Sequence, residues 1–162
     1  TLLFYVAATI AVLTTAIAVS RPHPVHALLY FIVSLLAAAG VLLALGSPFA
    51  AALEVMVYAG AIMVLFVFVV MLLNVGPGDD AQERAWLNPK NWIGPAAFAA
   101  LLLAQLMYVF STPAGFVGPE MPLKGVGIAL YGPYLLAVEL ASMLLLAGLI
   151  AAYHIGRKEG KT

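Results

Sequence analysis

Apolar residues run along this chain in long blocks rather than in the short alternations that mark a half-buried strand or a surface helix. Five blocks, at about 2–19, 25–45, 51–73, 93–110 and 132–153, are each long enough to cross a hydrocarbon core of about 30 Å at about 1.5 Å per residue. Between them stand Arg21-Pro22-His23-Pro24, Gly46-Ser47-Pro48, Gly76-Pro77-Gly78 and a proline- and glycine-rich stretch from Pro113 to Gly127. The third block holds many β-branched residues that would favour a strand in water. In lipid an isolated span must satisfy its own backbone hydrogen bonds, so it is expected to be helical all the same. The pattern predicts an all-α integral membrane protein with five transmembrane helices, forming a single membrane domain over 1–162.

Five spans place the two ends of the chain on opposite sides. Arg21, Arg84, Lys90, Arg157, Lys158 and Lys161 then share one side and Lys124 alone takes the other, a positive-inside pattern that predicts the N-terminus outside and the C-terminus in the cytoplasm. Trp86 and Trp92 at the inner surface, with Tyr131 and Tyr134 at the outer, suit interfacial belts. The first block follows Thr1 without a basic n-region or a clear cleavage site, and is read as a retained helix.

Composition sharpens this picture. The 162 residues are 65% hydrophobic and only 9% charged, against about 25% charged in soluble domains, and the formal net charge of zero offers no basic field for nucleic acid. With no cysteine there is no disulfide, no thiolate ligation of iron–sulfur clusters and no cysteine nucleophile, so electrons are not expected to pass through this chain. The three histidines, His23, His26 and His154, fall on one side but lack a fourth ligand and a metal-binding spacing. They read as interfacial or solvated side chains rather than a metal site.

Two blocks carry more than apolar bulk. The third reads Glu54-Val55-Met56-Val57-Tyr58-Ala59-Gly60-Ala61-Ile62-Met63-Val64-Leu65-Phe66-Val67-Phe68-Val69-Val70-Met71-Leu72-Leu73-Asn74, free of charge after Glu54. Glu54 and Tyr58 share a helical face, and Gly60 is a natural place for a wide π turn. Making or removing such a turn would rotate one half of the helix by about 100° and swing Met63, Val64 and Phe66 between a neighbour and lipid. The plainer reading of Gly60 is a packing notch. In the last block Glu139 lies about 9 Å inside a helix opened by Pro133. An intramembrane acid is a functional candidate by default, with a structural hydrogen bond as the alternative. Small residues at Ala37-Ala38-Ala39-Gly40, at Ala44 and around Gly94 suit helix–helix interfaces. In the loop from Asn74 to Asn91, Asp80 and Glu83 have capping-box spacing; Asp79, Asp80 and Glu83 read first as solvated acids and second as groups near a proton entry.

The run 54–74 resembles the third-helix signature of the subunit J family of respiratory complex I, the proton-pumping NADH:quinone oxidoreductase, whose mitochondrial counterpart is subunit 6. Glu139-Leu140-Ala141-Ser142-Met143-Leu144-Leu145-Leu146 is similar to a second signature of that family, and the two matches cover about a quarter of the chain. The resemblance implies a membrane-arm subunit beside subunits A, H, K and the antiporter-like subunits. It implies no cofactor on this chain, the complex using FMN, iron–sulfur clusters, NADH and quinone. It further implies a third helix that switches between π and α forms near Tyr58-Ala59-Gly60, opening a water path for protons. Tyr58 and Gly60 would be the hinge, Met63, Val64 and Phe66 the hydrophobic plug, and Glu54 and Glu139 charges or hydrogen-bond partners near its outer end. The alternatives are a subunit of a related multisubunit cation/proton antiporter and a purely structural lateral subunit. A bacterial inner membrane is the expected location, ahead of the mitochondrial inner membrane.

Overall fold

A computed structural model describes residues 2–21, 24–73, 89–111 and 122–157. Among the described residues the chain is all-helical, without strands, and five helices are long and apolar enough to cross a membrane. They fall into two compact units, Thr1–Glu120 and Met121–Thr162.

The first unit is built on α1 (Leu2–Ser20) and α2 (Pro24–Ala44), which pack along their lengths. Lipid tails are as apolar as leucine, so helices associate in a bilayer by close packing and hydrogen bonds rather than by water exclusion. Small residues supply the closeness: Ala7 and Ala37 are fully buried, and a Cβ on Gly40 would stand 3.5 Å from that of Ala7. Ile10, Val33 and Ala37 form the centre of the core, with Val6, Ala11, Phe98 and Leu102 against them.

Hydroxyls supply the hydrogen bonds. Thr15 Oγ1 and Ser34 Oγ lie 2.5 Å apart across the α1–α2 seam; with the Thr15 proton on the Ala11 carbonyl, Ser34 is the donor of this bridge, and its Oγ also stands 3.2 Å from that carbonyl. Thr9, Thr14, Thr15 and Ser20 each return their hydroxyl proton to a carbonyl one turn back, which satisfies these four donors within α1.

The Gly46-Ser47-Pro48 punctuation becomes a sharp reversal. Gly46 adopts a positive φ of 80° and donates to the Leu43 carbonyl, while Ser47 N–H reaches back to Leu42, each at 3.0 Å. This is a Schellman ending, which satisfies the last carbonyls of α2. Pro48 then opens the third rod, where its missing N–H costs nothing. That rod runs without a break as α3 (Pro48–Leu53), a π-helix (Glu54–Ile62) and α4 (Met63–Leu73). The last rod of the unit is α5 (Pro89–Ser111), which carries Pro95 inside it and is tied to α1 by a 2.7 Å bond from Gln105 Nε2 to the Leu3 carbonyl.

The second unit consists of α6 (Leu123–Tyr131) and α7 (Leu135–Gly156). The sequence places a loop through Gly127 and a helix from residue 132. Instead Pro122, with an extended backbone, caps a short helix that includes Gly125 and Gly127, and the long helix starts three residues later than expected. Tyr134 N–H bonds back to the Ala129 carbonyl at 3.1 Å, and Pro133 has no N–H to give, so the first helix closes before the second begins.

Candidate functional site

The third rod is the unusual element. Nine consecutive residues, Glu54–Ile62, are π-helical, a form that mostly occurs as a single wide turn. The wide turns enter and leave smoothly: Glu54 N–H points at the carbonyls of Ala50 and Ala51, and Met63 N–H at those of Gly60 and Tyr58. Tyr58, Ala59 and Gly60 all lie within the π segment.

Gly60 fits this geometry closely. A Cβ there would meet the carbonyl oxygen of Val55, five residues back, at 3.1 Å. That contact is tight enough that the carbonyl would have to give way, so glycine leaves the wide turn room that a side chain would take.

The side chains named from the sequence are distributed unequally. Glu54 is half-buried and Tyr58 about half exposed, at 51%. Met63, the first residue of α4, is 1% exposed and is among the largest fully buried side chains, whereas Val64 and Phe66 point outward at 64% and 53%. Met63 and Val70 are the least exposed of the described side chains of α4, and their spacing of seven marks its inward stripe. The three plug residues therefore do not face one way in this state. Sequence could not separate them, because the block is apolar on every side.

Glu139 stands in the second unit, on α7 and exposed. Ser142 Oγ donates to its backbone carbonyl at 2.7 Å and not to its carboxylate. With α7 starting at Leu135, Glu139 is four residues into the helix, about 6 Å rather than the 9 Å expected from a start at Pro133. Gly132, the residue before that proline, ends α6, and α7 begins at Leu135.

Beside the π segment an apolar groove of about 510 Å³ runs between α2, α3 and α5, lined by Leu36, Gly40, Ala51, Val55, Leu102 and Leu106 among others. Val55, whose carbonyl oxygen makes the tight contact at Gly60, belongs to its wall. Among the described residues no three His, Asp or Glu side chains come together as a metal site. His23 and the acids Asp79, Asp80 and Glu83 lie outside the described residues.

Comparison with known proteins gives concordant matches. The family described as NADH-ubiquinone/plastoquinone oxidoreductase chain 6 matches over residues 14–155. NADH-quinone oxidoreductase subunit J of Pseudomonas aeruginosa is 59% identical over 161 residues, covering 98% of this chain and 97% of that one. The protein of the same name from Escherichia coli K12 is 56% identical over 158 residues, 96% of this chain and 86% of its own. That of Buchnera aphidicola from Schizaphis graminum is 45% identical over 158 residues, 96% and 97%.

Proposed function

The chain belongs to the family of NADH-ubiquinone/plastoquinone oxidoreductase chain 6, the subunit J proteins of NADH-quinone oxidoreductase, and from that membership we propose that its third rod is a gate coupling quinone reduction to proton translocation. The observation that carries the reading is the π-helix at Glu54–Ile62, with Tyr58 and Gly60 inside it.

Converting the π segment to a regular α-helix removes one residue of register, a turn of about 100° for everything beyond it. With α3 held fixed, the inward direction of Met63 passes to Ile62, and Phe66 comes to within about 40° of it. Met63 and Phe66 therefore exchange places between interior and exterior, while Val64 stays on the outer side. In one state they fill a gap; in the other the gap admits a chain of waters, which conducts protons where a dry apolar gap does not. Tyr58 and Gly60 serve as the hinge. Glu54, at the start of the π segment, and Glu139, on α7, are each read as a charge or hydrogen-bond partner of the proton path.

The chain contributes no redox centre in this reading. FMN, iron–sulfur clusters, NADH and quinone are handled by other subunits, and its neighbours are the membrane subunits A, H, K and the antiporter-like subunits. It lies in a bacterial inner membrane with its N-terminus outside and its C-terminus in the cytoplasm, which the distribution of Lys and Arg supports.

The test is proton pumping per NADH oxidised in membranes carrying Gly60→Leu, with assembled complex quantified on a native gel. Assembly with a sharp fall in pumping or turnover is the expected result. Normal pumping by assembled complex would leave the rod a scaffold and the subunit a structural one.

A further inference from the structure

Between α6 and α7 the chain turns a corner that only glycine allows. Gly132 leaves the helical conformation, with φ −111° and ψ −107°. A Cβ on it would lie 2.7 Å from the carbonyl oxygen of Ile128. That oxygen is part of the α6 backbone and cannot swing aside as a side chain would. The corner is closed from both sides, by Tyr134 N–H on the Ala129 carbonyl at 3.1 Å and Leu135 N–H on the Gly132 carbonyl at 3.2 Å.

What stands on either side of this corner differs in kind. α6 carries Lys124, exposed in its first turn, and an ammonium group resists entry into hydrocarbon, which anchors α6 at the membrane rim. α7 is an apolar rod whose only acid is Glu139, and its other ionisable groups, Tyr153 and His154, sit at its far end. A rod of that kind turns and slides against apolar surroundings at little cost, so an opened corner is taken up by α7 and not by α6. Glu139, seven residues past Gly132 and one turn into the helix, is the group whose position such a movement changes most directly.

We infer that Gly132 is a positioning residue for Glu139: the closed corner at Gly132-Pro133 sets the depth and facing at which that carboxyl is presented. The inference rests on the proposed role of Glu139 in proton transfer. A double-mutant cycle in the intact complex tests it, reading NADH-driven proton pumping per assembled complex for Glu139→Gln, Gly132→Ala and the double variant. Each single change is expected to lower pumping by about threefold or more, and the double variant to pump no less than the poorer single one, because both act through one carboxyl. If the two factors multiply, or if Gly132→Ala pumps normally, Gly132 does not act through Glu139 and the inference is overturned. Normal pumping by Glu139→Gln would instead overturn the reading of Glu139 itself. Should Gly132→Ala fail to assemble, Pro133→Gly loosens the same corner without adding an atom at 132, and the same outcomes decide.

Discussion

The hydroxyl of Tyr30 on α2 rests against the backbone of Gly94 on α5, so close that a Cβ built on the glycine would overlap it. The same ring lies under the guanidinium of Arg21, 5.4 Å from its centroid. Tyr30 is thus clamped between the end of α1 and the start of α5. Gly94→Ala should displace the phenol and cost about 1–3 kcal/mol, as overpacking in a filled core does. Less complex on a native gel and a lower inactivation temperature are expected. Adding Tyr30→Phe removes the overlapping oxygen and should recover part of the loss; no recovery would mean that Gly94 matters for another reason.

Because the chain has no cysteine, single cysteines report cleanly on the facing of the third rod. With Gly60 in place, Phe66→Cys should react with a lipid-soluble maleimide and Met63→Cys should not, following their exposures of 53% and 1%. In a Gly60→Leu background the order should reverse, since a register change of one residue turns α4 by about 100°. An unchanged labelling pattern would show that the π segment persists without glycine.

Gly40 meets Ala7 at ordinary contact distance, 3.5 Å from a built Cβ. Gly40→Ala should therefore assemble and pump like the parent. Gly40→Leu should drive α1 from α2 at a cost of about 1–3 kcal/mol, read as thermal inactivation of the purified complex.

The Thr15–Ser34 bridge should contribute modestly. Hydrogen bonds between membrane helices average about 0.6 kcal/mol in double-mutant cycles. Thr15 keeps its bond to the Ala11 carbonyl at 2.8 Å when Ser34 is lost, so Ser34→Ala leaves no bare donor on it. Thr15→Val and Ser34→Ala should each lower the inactivation temperature slightly, with a coupling of that size in the double variant. A coupling several times larger would point to a cooperative network.

What could be read from the residues alone was what depends on the local chain. Gly46-Ser47-Pro48 announces a glycine-ended helix followed by a proline-started one, and Gly60 beside Tyr58 marks where the backbone can widen. The extent of the π segment back to Glu54 was not legible, because no residue before Gly60 departs from an ordinary apolar helix. Nor was the helix at Leu123–Tyr131: Gly125 and Gly127 read as breakers in water, while in an apolar medium the need to pair every N–H and C=O favours the helix even there. Tyr30 and Gly94 lie far apart in sequence, and nothing local links them. Met63 could not be told from Val64, since a block apolar on all sides has no phase.

The outer surfaces of the third and last rods carry a consequence for the life of the protein in the cell. No residue of α7 is buried, and most of α4 beyond Met63 is exposed. Much of what holds these helices upright must come from neighbouring subunits, as association in the bilayer requires partners that pack. An orphan copy would stand loosely in the membrane, open to quality-control proteases. Its abundance should therefore follow the supply of its partners more closely than the rate of its own synthesis.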